Sequence, residues 1–213
     1  EIPELEIIQV NTDGITVKYP RQHEELYYKI CDDWQKHVKL ELEYADYDAM
    51  FIRDVNNYIA LYTNGKVKRK GAYEYEGLGW HQNQSCLVVP KAVEAFMLHG
   101  TPVEDFIMNH KDKYDFLLRT KVPRSSKLVM VFDDGFEQTL QNICRYYPSK
   151  QGGKLVKIMP PLEEGGEPRR LGIDVEWNVK PCNDISKFNW NVDYEYYISE
   201  ANKLIIGAEV VDT

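Results

Sequence analysis

The sequence predicts a mixed α+β fold, and three patterns in its 213 residues support that prediction. Near the beginning, alternating apolar and polar residues surround turn-forming residues, which indicates antiparallel hairpins. Apolar residues at spacings of three and four indicate amphipathic helices between and after the hairpins. Hydrophobic residues make up 43% of the chain, a fraction typical of a folded core. We therefore expect an antiparallel sheet with a helix, followed by a mixture of helices and strands.

Composition limits the classes of function. The net charge is −8, so nucleic acid could be bound only where positive charge is concentrated locally. The four cysteines form no C-x-x-C pair, which argues against a zinc ribbon or a disulfide scaffold. No apolar run approaches the ~20 residues of a membrane span, so we expect a soluble, intracellular chain. Because it begins at Glu1 and enters a strand almost at once, we expect a piece of something longer.

The first predicted hairpin turns at Asn11-Thr12-Asp13-Gly14. Runs rich in β-branched residues flank this segment, and the second run alternates apolar with polar residues. Asp-Gly is a strong hairpin signal because Gly accepts positive φ at no steric cost. Asp13 has two interpretations, a residue that only makes the turn or a functional carboxylate.

Residues 21–38 have the spacing of an amphipathic helix that packs its apolar stripe on a sheet. Residues 39–44 alternate strictly and predict a strand that places Glu41 and Glu43 on one face. These glutamates either face solvent or support a metal site from outside the direct ligands.

The second predicted hairpin has a basic return strand. Residues 50–62 are strand-like, Thr63-Asn64-Gly65 makes the turn, and residues 66–73 return. Residues 61–73 contain no acid and four cations, namely Lys66, Lys68, Arg69 and Lys70. Such a strand is either a solvated sheet edge or a surface that meets phosphates.

The second half begins after a predicted linking loop at residues 74–85. Pro in the first turn and Gly past the end predict a helix at residues 89–100. Thr101 and Glu104 predict a capping box that opens a helix reaching Asn109. Residues 114–120 are expected to be helical as well.

Strands and a closing helix complete the prediction. We expect strands at residues 127–132 and 171–179, and a helix at residues 193–206. Residues 141–158 contain Arg-Tyr-Tyr, Ser-Lys-Gln-Gly-Gly and an apolar run flanked by lysines. Residues 119–157 carry eight cations and three acids, a local charge of +5 that suits contact with phosphates.

Several of these segments resemble the family-B DNA polymerases. Gln9 to Gly14 resembles the Tyr-Gly-Asp-Thr-Asp-Ser motif of their palm hairpin, with Asp13 at the position of the metal-binding second Asp. Asn11 stands at the first Asp, and the Tyr and Ser are absent. Asn56-Asn57-Tyr58 resembles the Lys-x-Tyr element that contacts the primer, with Tyr58 retained and Asn56 in place of Lys.

The resemblance continues in family order through the second half. It covers the Pro-Lys-Ala-Val and Gly-Thr-Pro-Val-Glu-Asp-Phe-Ile segments (residues 90–107), the ending at residues 193–201, and residues 141–158. In this last segment the resemblance implies an Arg-Tyr-Tyr element, a Ser-Lys-Gln-Gly-Gly turn and a Lys-flanked strand. It implies a partial polymerase palm (antiparallel sheet with helix) in residues 1–85 and a mixed helix/strand thumb subdomain in residues 86–213. Within the family, the chain most resembles the polymerases of bacteriophages.

The resemblance implies that the chain is the C-terminal palm/thumb part of a DNA-directed DNA polymerase. Such an enzyme is a nucleotidyltransferase that acts in DNA replication, here in the cytoplasm of the host cell. Asp13 would be the catalytic ligand of Mg²⁺. The implied DNA-binding residues are Arg53, Tyr58, Lys66, Lys68, Arg69, Lys70, Arg145, Tyr146, Lys150 and Lys154. Implied partners are primer–template DNA, dNTP and an N-terminal polymerase portion with the exonuclease, fingers and remaining palm.

In that family the second carboxylate strand lies upstream of the hairpin, so the isolated chain is expected to be inactive. Two other functions stay open. The chain could be a non-catalytic DNA-binding module, in which Asp13 is only a turn residue. It could also be a subunit that docks onto a separate polymerase half.

Overall fold

A computed structural model describes residues 2–79 and 84–212 of the chain. It has an α+β fold with antiparallel sheets, as predicted, and the described residues contain four α-helices. The chain divides into two compact units, Glu1–Glu74 with Gly207–Thr213, and Tyr75–Ile206. The predicted linking loop falls partly on residues 80–83, which lie outside the described residues.

The first hairpin is confirmed. Strand β1 (Glu6–Val10) pairs antiparallel with β2 (Ile15–Lys18), and Val10 lies opposite Ile15. In the loop, the Asn11 N–H donates to the Gly14 carbonyl at 3.0 Å and the Asp13 N–H donates to Asn11 Oδ1 at 3.1 Å. The expectation of positive φ at Gly14 is wrong, because its φ lies outside the left-handed region. The Asn11 side chain forms the turn instead.

Helix α1 (Glu24–Val38) is present after a short 3₁₀ turn, but its apolar stripe does not pack on a sheet. No residue of α1, all of which is described, is buried. Lys39 ends the helix in the left-handed conformation with φ 58°. The strand predicted at residues 39–44 is wrong, because the Leu42 N–H donates to Gln35 Oε1 at 2.7 Å and Tyr44 packs edge-on against Tyr28. These contacts with the helix replace a neighbouring strand.

The first unit also contains a four-stranded antiparallel sheet, made of β3 (Tyr47–Asp54), β4 (Asn57–Tyr62), β5 (Val67–Lys70) and β12 (Glu209–Asp212). The order of the strands across the sheet is β12-β3-β4-β5. The segment predicted as one strand at residues 50–62 is therefore two. A tight turn separates them, in which Asp54 Oδ1 accepts from Asn57 Nδ2 at 2.8 Å and from the Asn56 N–H at 2.9 Å. These bonds, with the Asn57 side chain first, lower the pKa of Asp54.

In the second unit, helix α2 (Val88–His99) ends at Gly100 with φ 68°, as predicted. Helix α3 (Val103–Asn109) follows, but the predicted capping box is wrong because Pro102 occupies the cap position. The helix predicted at residues 114–120 is also wrong in its second half. A 3₁₀ turn at Lys113–Phe116 leads directly into strand β6 (Leu118–Lys121).

A long strand organises the sheets of the second unit. After β7 (Lys127–Val131) and β8 (Glu137–Leu140), β9 runs from Ile143 to Met159. Its first part pairs with β6 and with β11 (Val179–Pro181), and its second part with β7 and with β10 (Arg169–Ile173). The strand predicted at residues 171–179 is thus divided between β10 and β11.

The predicted Ser-Lys-Gln-Gly-Gly turn is wrong, because residues 149–153 lie inside β9. A Cβ atom on Gly152 would lie 2.1 Å from the Val179 carbonyl oxygen, and one on Gly153 would lie 2.6 Å from the Val131 carbonyl oxygen. The glycine pair therefore allows neighbouring strands to approach the backbone of β9 closely.

The predicted closing helix is present as α4 (Tyr194–Ile206), and β12 (Glu209–Asp212) follows it. Tyr197 of α4 is fully buried, and its hydroxyl donates to the Phe116 carbonyl at 2.5 Å. Strand β12, which the sequence did not predict, pairs with β3 in the sheet of the first unit.

Asp115 is a buried carboxylate that joins three segments of the second unit. Its Oδ2 atom lies 2.7 Å from Lys91 Nζ of α2 and 2.5 Å from His110 Nε2, which follows α3. Burial raises the pKa of the Asp115 carboxyl, but the bonds to His110 and Lys91 outweigh this effect, so the pKa is lowered. The charged carboxylate is therefore the form that the folded unit stabilises.

We expect Asp115→Asn to destabilise the protein by about 2 kcal/mol at neutral pH, because Lys91 loses its buried partner. The unfolded carboxyl takes up a proton near pH 4, whereas the folded one does so at lower pH. Its contribution is therefore present above about pH 4 and is lost as the pH falls through the folded pKa. Urea unfolding at about pH 7 and pH 3 should show that the difference in the free energy of unfolding between wild type and variant is smaller at the lower pH.

The matched control is Asp105→Asn, at an exposed position of α3. It should change stability little at either pH. If Asp115→Asn lowered the free energy of unfolding equally at both pH values, the charged carboxylate of Asp115 would not be the source of the stabilisation.

Candidate nucleic-acid interface

The first hairpin, the start of α1 and the sheet of the first unit surround a cleft of about 1470 Å³. Four of the predicted site residues line it: Asp13, Tyr58, Lys68 and Lys70. Asp13 comes from the hairpin loop, whereas the other three come from β4 and β5. The fold thus brings together the two segments singled out by sequence.

Strand alternation explains why only part of the basic strand faces this cleft. Lys68 lies opposite Ala60, and Lys70 lies opposite Tyr58, so the two lysines share a face of the sheet with Tyr58. Lys68 Nζ is 5.8 Å from the centre of the Tyr58 ring, within the range of a cation–π contact. The Tyr58 ring is buried beside Met50 and Ala60 and holds this wall in place.

The other predicted cations of the first unit lie elsewhere. Arg69 is on the opposite face of β5 because it alternates with Lys68 and Lys70. Lys66 is exposed in the turn before β5, and Arg53 is exposed near the end of β3. The structure therefore separates two cleft lysines from three other cations.

Asp13 is exposed in the hairpin loop, and the loop is fixed through its N–H rather than its carboxylate. Within residues 2–79 and 84–212, no three His, Cys, Asp or Glu side chains form a group that could hold a metal ion. Mg²⁺ prefers near-octahedral oxygen coordination, to which Asp13 alone would add one carboxylate. The described residues therefore do not form a complete magnesium site.

The remaining walls of the cleft carry tyrosines and acids that the sequence motifs did not identify. Tyr19 and Tyr27 stack with ring centres 4.6 Å apart, and Tyr47 lies on the sheet wall. Burial, followed by contact with Tyr62, raises the pKa of Tyr47 to about 12, so its hydroxyl keeps its proton at neutral pH. The acids are Glu4, Glu6, Glu24, Glu43, Asp46 and Asp48.

The tyrosines of the cleft could have been suspected only from composition, whereas Glu43 was one of the two glutamates singled out by alternation. The chain contains 15 tyrosines, but their number does not reveal which of them share a surface. Glu43 is exposed and lines the cleft, while the irregular backbone of residues 40–46 removes the predicted common strand face with Glu41.

The predicted site residues of the second unit all lie on β9. Tyr146 is only 4% exposed, and its hydroxyl donates to Asp174 Oδ2 at 2.6 Å. Arg145 donates from Nη1 to the Gln84 carbonyl at 3.0 Å. Lys150 and Lys154 are exposed, and Lys154 Nζ donates to the Val175 carbonyl at 3.1 Å.

Burial and the bond to Asp174 raise the pKa of Tyr146. Its ring belongs to the core of the second unit. Lys150 and Lys154 remain exposed on β9, and Arg145 pairs with Arg119 of β6.

Comparisons of the chain with protein-family models, with curated proteins and with solved structures find no match. None of the helices in the described ranges combines the length and apolar character that crossing a bilayer requires.

Proposed function

We propose that the chain is the C-terminal palm and thumb part of a phage-type family-B DNA polymerase. It would hold primer–template DNA and contribute one carboxylate, Asp13, to a Mg²⁺ site. The observation that carries this proposal is the shared cleft of Asp13, Tyr58, Lys68 and Lys70. Lysines suit a nucleic-acid backbone, because phosphate contacts supply most of its binding energy.

The proposal assigns the remaining catalytic residues to an N-terminal polymerase portion that also binds dNTP. Two features support such a partner. The described residues contain one candidate metal carboxylate but no complete metal group. In the described chain β1 pairs only with β2, and a two-stranded hairpin is marginally stable alone. A strand from the partner would extend this hairpin. The complete enzyme would act in the cytoplasm of the host cell.

The second candidate function is a DNA-binding module without catalysis. The bond from the Asp13 N–H to Asn11 Oδ1 favours it, because the cleft lysines could contact DNA with Asp13 acting only in the turn. Both functions require DNA binding, so the binding experiment tests their common basis. Loss of catalysis on changing Asp13 separates them.

We expect Lys68→Ala and Lys70→Ala each to weaken duplex binding and to flatten its salt dependence. Each neutralised phosphate contributes about −0.9 to the slope of log affinity against log salt concentration, so each change should reduce the slope by roughly that amount. Fluorescence anisotropy with a labelled primer–template duplex, titrated at several salt concentrations, measures both quantities.

Lys66→Ala is the matched control, since it removes the same charge from a residue in the turn before β5. Its slope should stay close to that of the unchanged chain. Equal changes of slope at Lys66, Lys68 and Lys70 would show that the duplex is bound by overall positive charge and not by the cleft lysines. A flat salt response in the unchanged chain would overturn the DNA-binding proposal itself.

A further inference from the structure

The surface of α1 carries an apolar stripe that its own unit leaves exposed. Leu26, Ile30 and Trp34 are spaced by four residues and are 37%, 40% and 45% exposed. At 3.6 residues per turn they fall within an arc of about 80° along the helix. Large apolar residues grouped in this way differ from singly scattered ones and indicate an interaction surface.

The contacts of α1 with its own unit lie beside the stripe, at Tyr27, and on the far side of the helix, at Tyr28 and Gln35, and none of them uses Leu26, Ile30 or Trp34. Tyr27 stacks on Tyr19, Tyr28 packs against Tyr44, and Gln35 accepts from the Leu42 N–H. The stripe is therefore available while these contacts stay in place.

Charged residues beside the stripe show what kind of partner fits it. Glu25, Lys29, Asp33 and Lys36 follow one side of the stripe with signs that alternate along the helix. Read in the opposite direction, the same series begins with a positive charge and ends with a negative one. A second copy of α1 running antiparallel thus places opposite charges against each other, whereas a parallel copy would place this charged side against the uncharged flank of Tyr27, Cys31 and Val38.

These side chains are free to take part in such pairs. Lys36 and Asp33 contact each other at 3.8 Å within the helix, but their side chains are 77% and 64% exposed. An exposed pair of this kind contributes little to stability, so exchanging it for a contact with another chain costs little.

We propose that two copies of the chain associate through antiparallel pairing of their α1 helices. Ile30 lies at the centre of the two-fold contact, and Leu26 packs against Trp34 of the second copy. Lys29 faces Asp33 and Glu25 faces Lys36, each pair occurring twice by symmetry. The inference rests on α1 alone and is independent of the proposed function.

The expected interface is small. A single helix pair buries less than the ~1,200 Å² at the lower end of stable complexes, so we expect a dissociation constant in the micromolar range or weaker. Sedimentation velocity over a range of protein concentrations should show a monomer–dimer equilibrium. A chain that stays monomeric at the highest attainable concentration would overturn the proposal.

Charge exchange tests the antiparallel arrangement. One variant, Glu25→Lys with Asp33→Lys, makes this side of α1 wholly positive; the other, Lys29→Glu with Lys36→Glu, makes it wholly negative. Each variant alone should dimerise at least about tenfold more weakly, corresponding to 1.4 kcal/mol. An equimolar mixture should form a heterodimer as stable as the wild-type homodimer. Failure of the mixture to associate would overturn the proposed pairing.

Two further variants keep folding separate from association. Glu104→Lys with Asp105→Lys makes the same charge change at exposed positions of α3 and should leave dimerisation unchanged. Ile30→Asp should abolish the dimer, whereas Leu162→Asp, at a leucine that is 81% exposed in the second unit, should not. Far-UV circular dichroism should show unchanged helix content in every variant, and dimerisation that survives Ile30→Asp would contradict the central contact.

Discussion

Asp13→Asn should lower primer extension by at least about 10²-fold in a polymerase assembled from this chain and the polypeptide that supplies the remaining catalytic residues. The amide has nearly the shape of the carboxylate, and the loop is fixed by the Asp13 N–H, so the hairpin should persist. A metal-binding carboxylate acts mainly on the transition state. Affinity for primer–template DNA, measured by anisotropy, should therefore stay nearly unchanged.

Glu43→Gln is the matched control, because it neutralises another exposed carboxylate of the same cleft. Its extension rate should remain close to that of the unchanged enzyme. If the Asp13→Asn enzyme retains more than about a hundredth of the parent rate, Asp13 acts only in the turn, and the non-catalytic DNA-binding function is favoured.

Gly152→Ala should destabilise the second unit by about 3 kcal/mol. The added methyl carbon would lie 2.1 Å from the carbonyl oxygen of Val179 and 2.4 Å from its carbonyl carbon. Both are backbone atoms of β11, so they cannot rotate away as a side chain would. Relief requires β11 to separate from β9, which breaks the pairing of Val179 with Pro148.

Urea unfolding compares this variant with Gly14→Ala. A methyl group on Gly14 would lie 3.6 Å from Asn11 Oδ1, an ordinary contact, and the φ of Gly14 lies outside the left-handed region. Gly14→Ala should therefore change stability by less than about 0.5 kcal/mol. Equal urea midpoints of unfolding for the two variants would show that β11 can move away from β9 without loss of stability.

Elements whose start and end are set by residues close by in the sequence could be predicted. Helix α2 has Pro90 in its first turn and Gly100 at its end, and both signals are local. The glycine pair at residues 152–153 was misread because the same dipeptide serves a turn or a close approach of strands. Which of these applies depends on Val179 and Val131, which lie more than twenty residues away in the chain.

The same distinction applies to the candidate site. Alternation along β5 separates Lys68 and Lys70 from Arg69, but only the pairing with β4 shows which face carries Tyr58. Tyr146 was assigned to a surface because basic residues surround it in sequence. It is buried, and its hydroxyl bonds to Asp174, which belongs to a turn between two other strands and gives no signal near residue 146.

The pairing of β12 with β3 has a consequence for biosynthesis. A ribosome that adds about 5–20 residues per second needs on the order of ten seconds to go from the end of β3 to the end of β12. During that interval the edge of β3 has no strand to cover it, while the whole second unit is being made. A nascent chain of this protein therefore exposes an adhesive edge that a chaperone or a neighbouring nascent chain can reach before the sheet is completed.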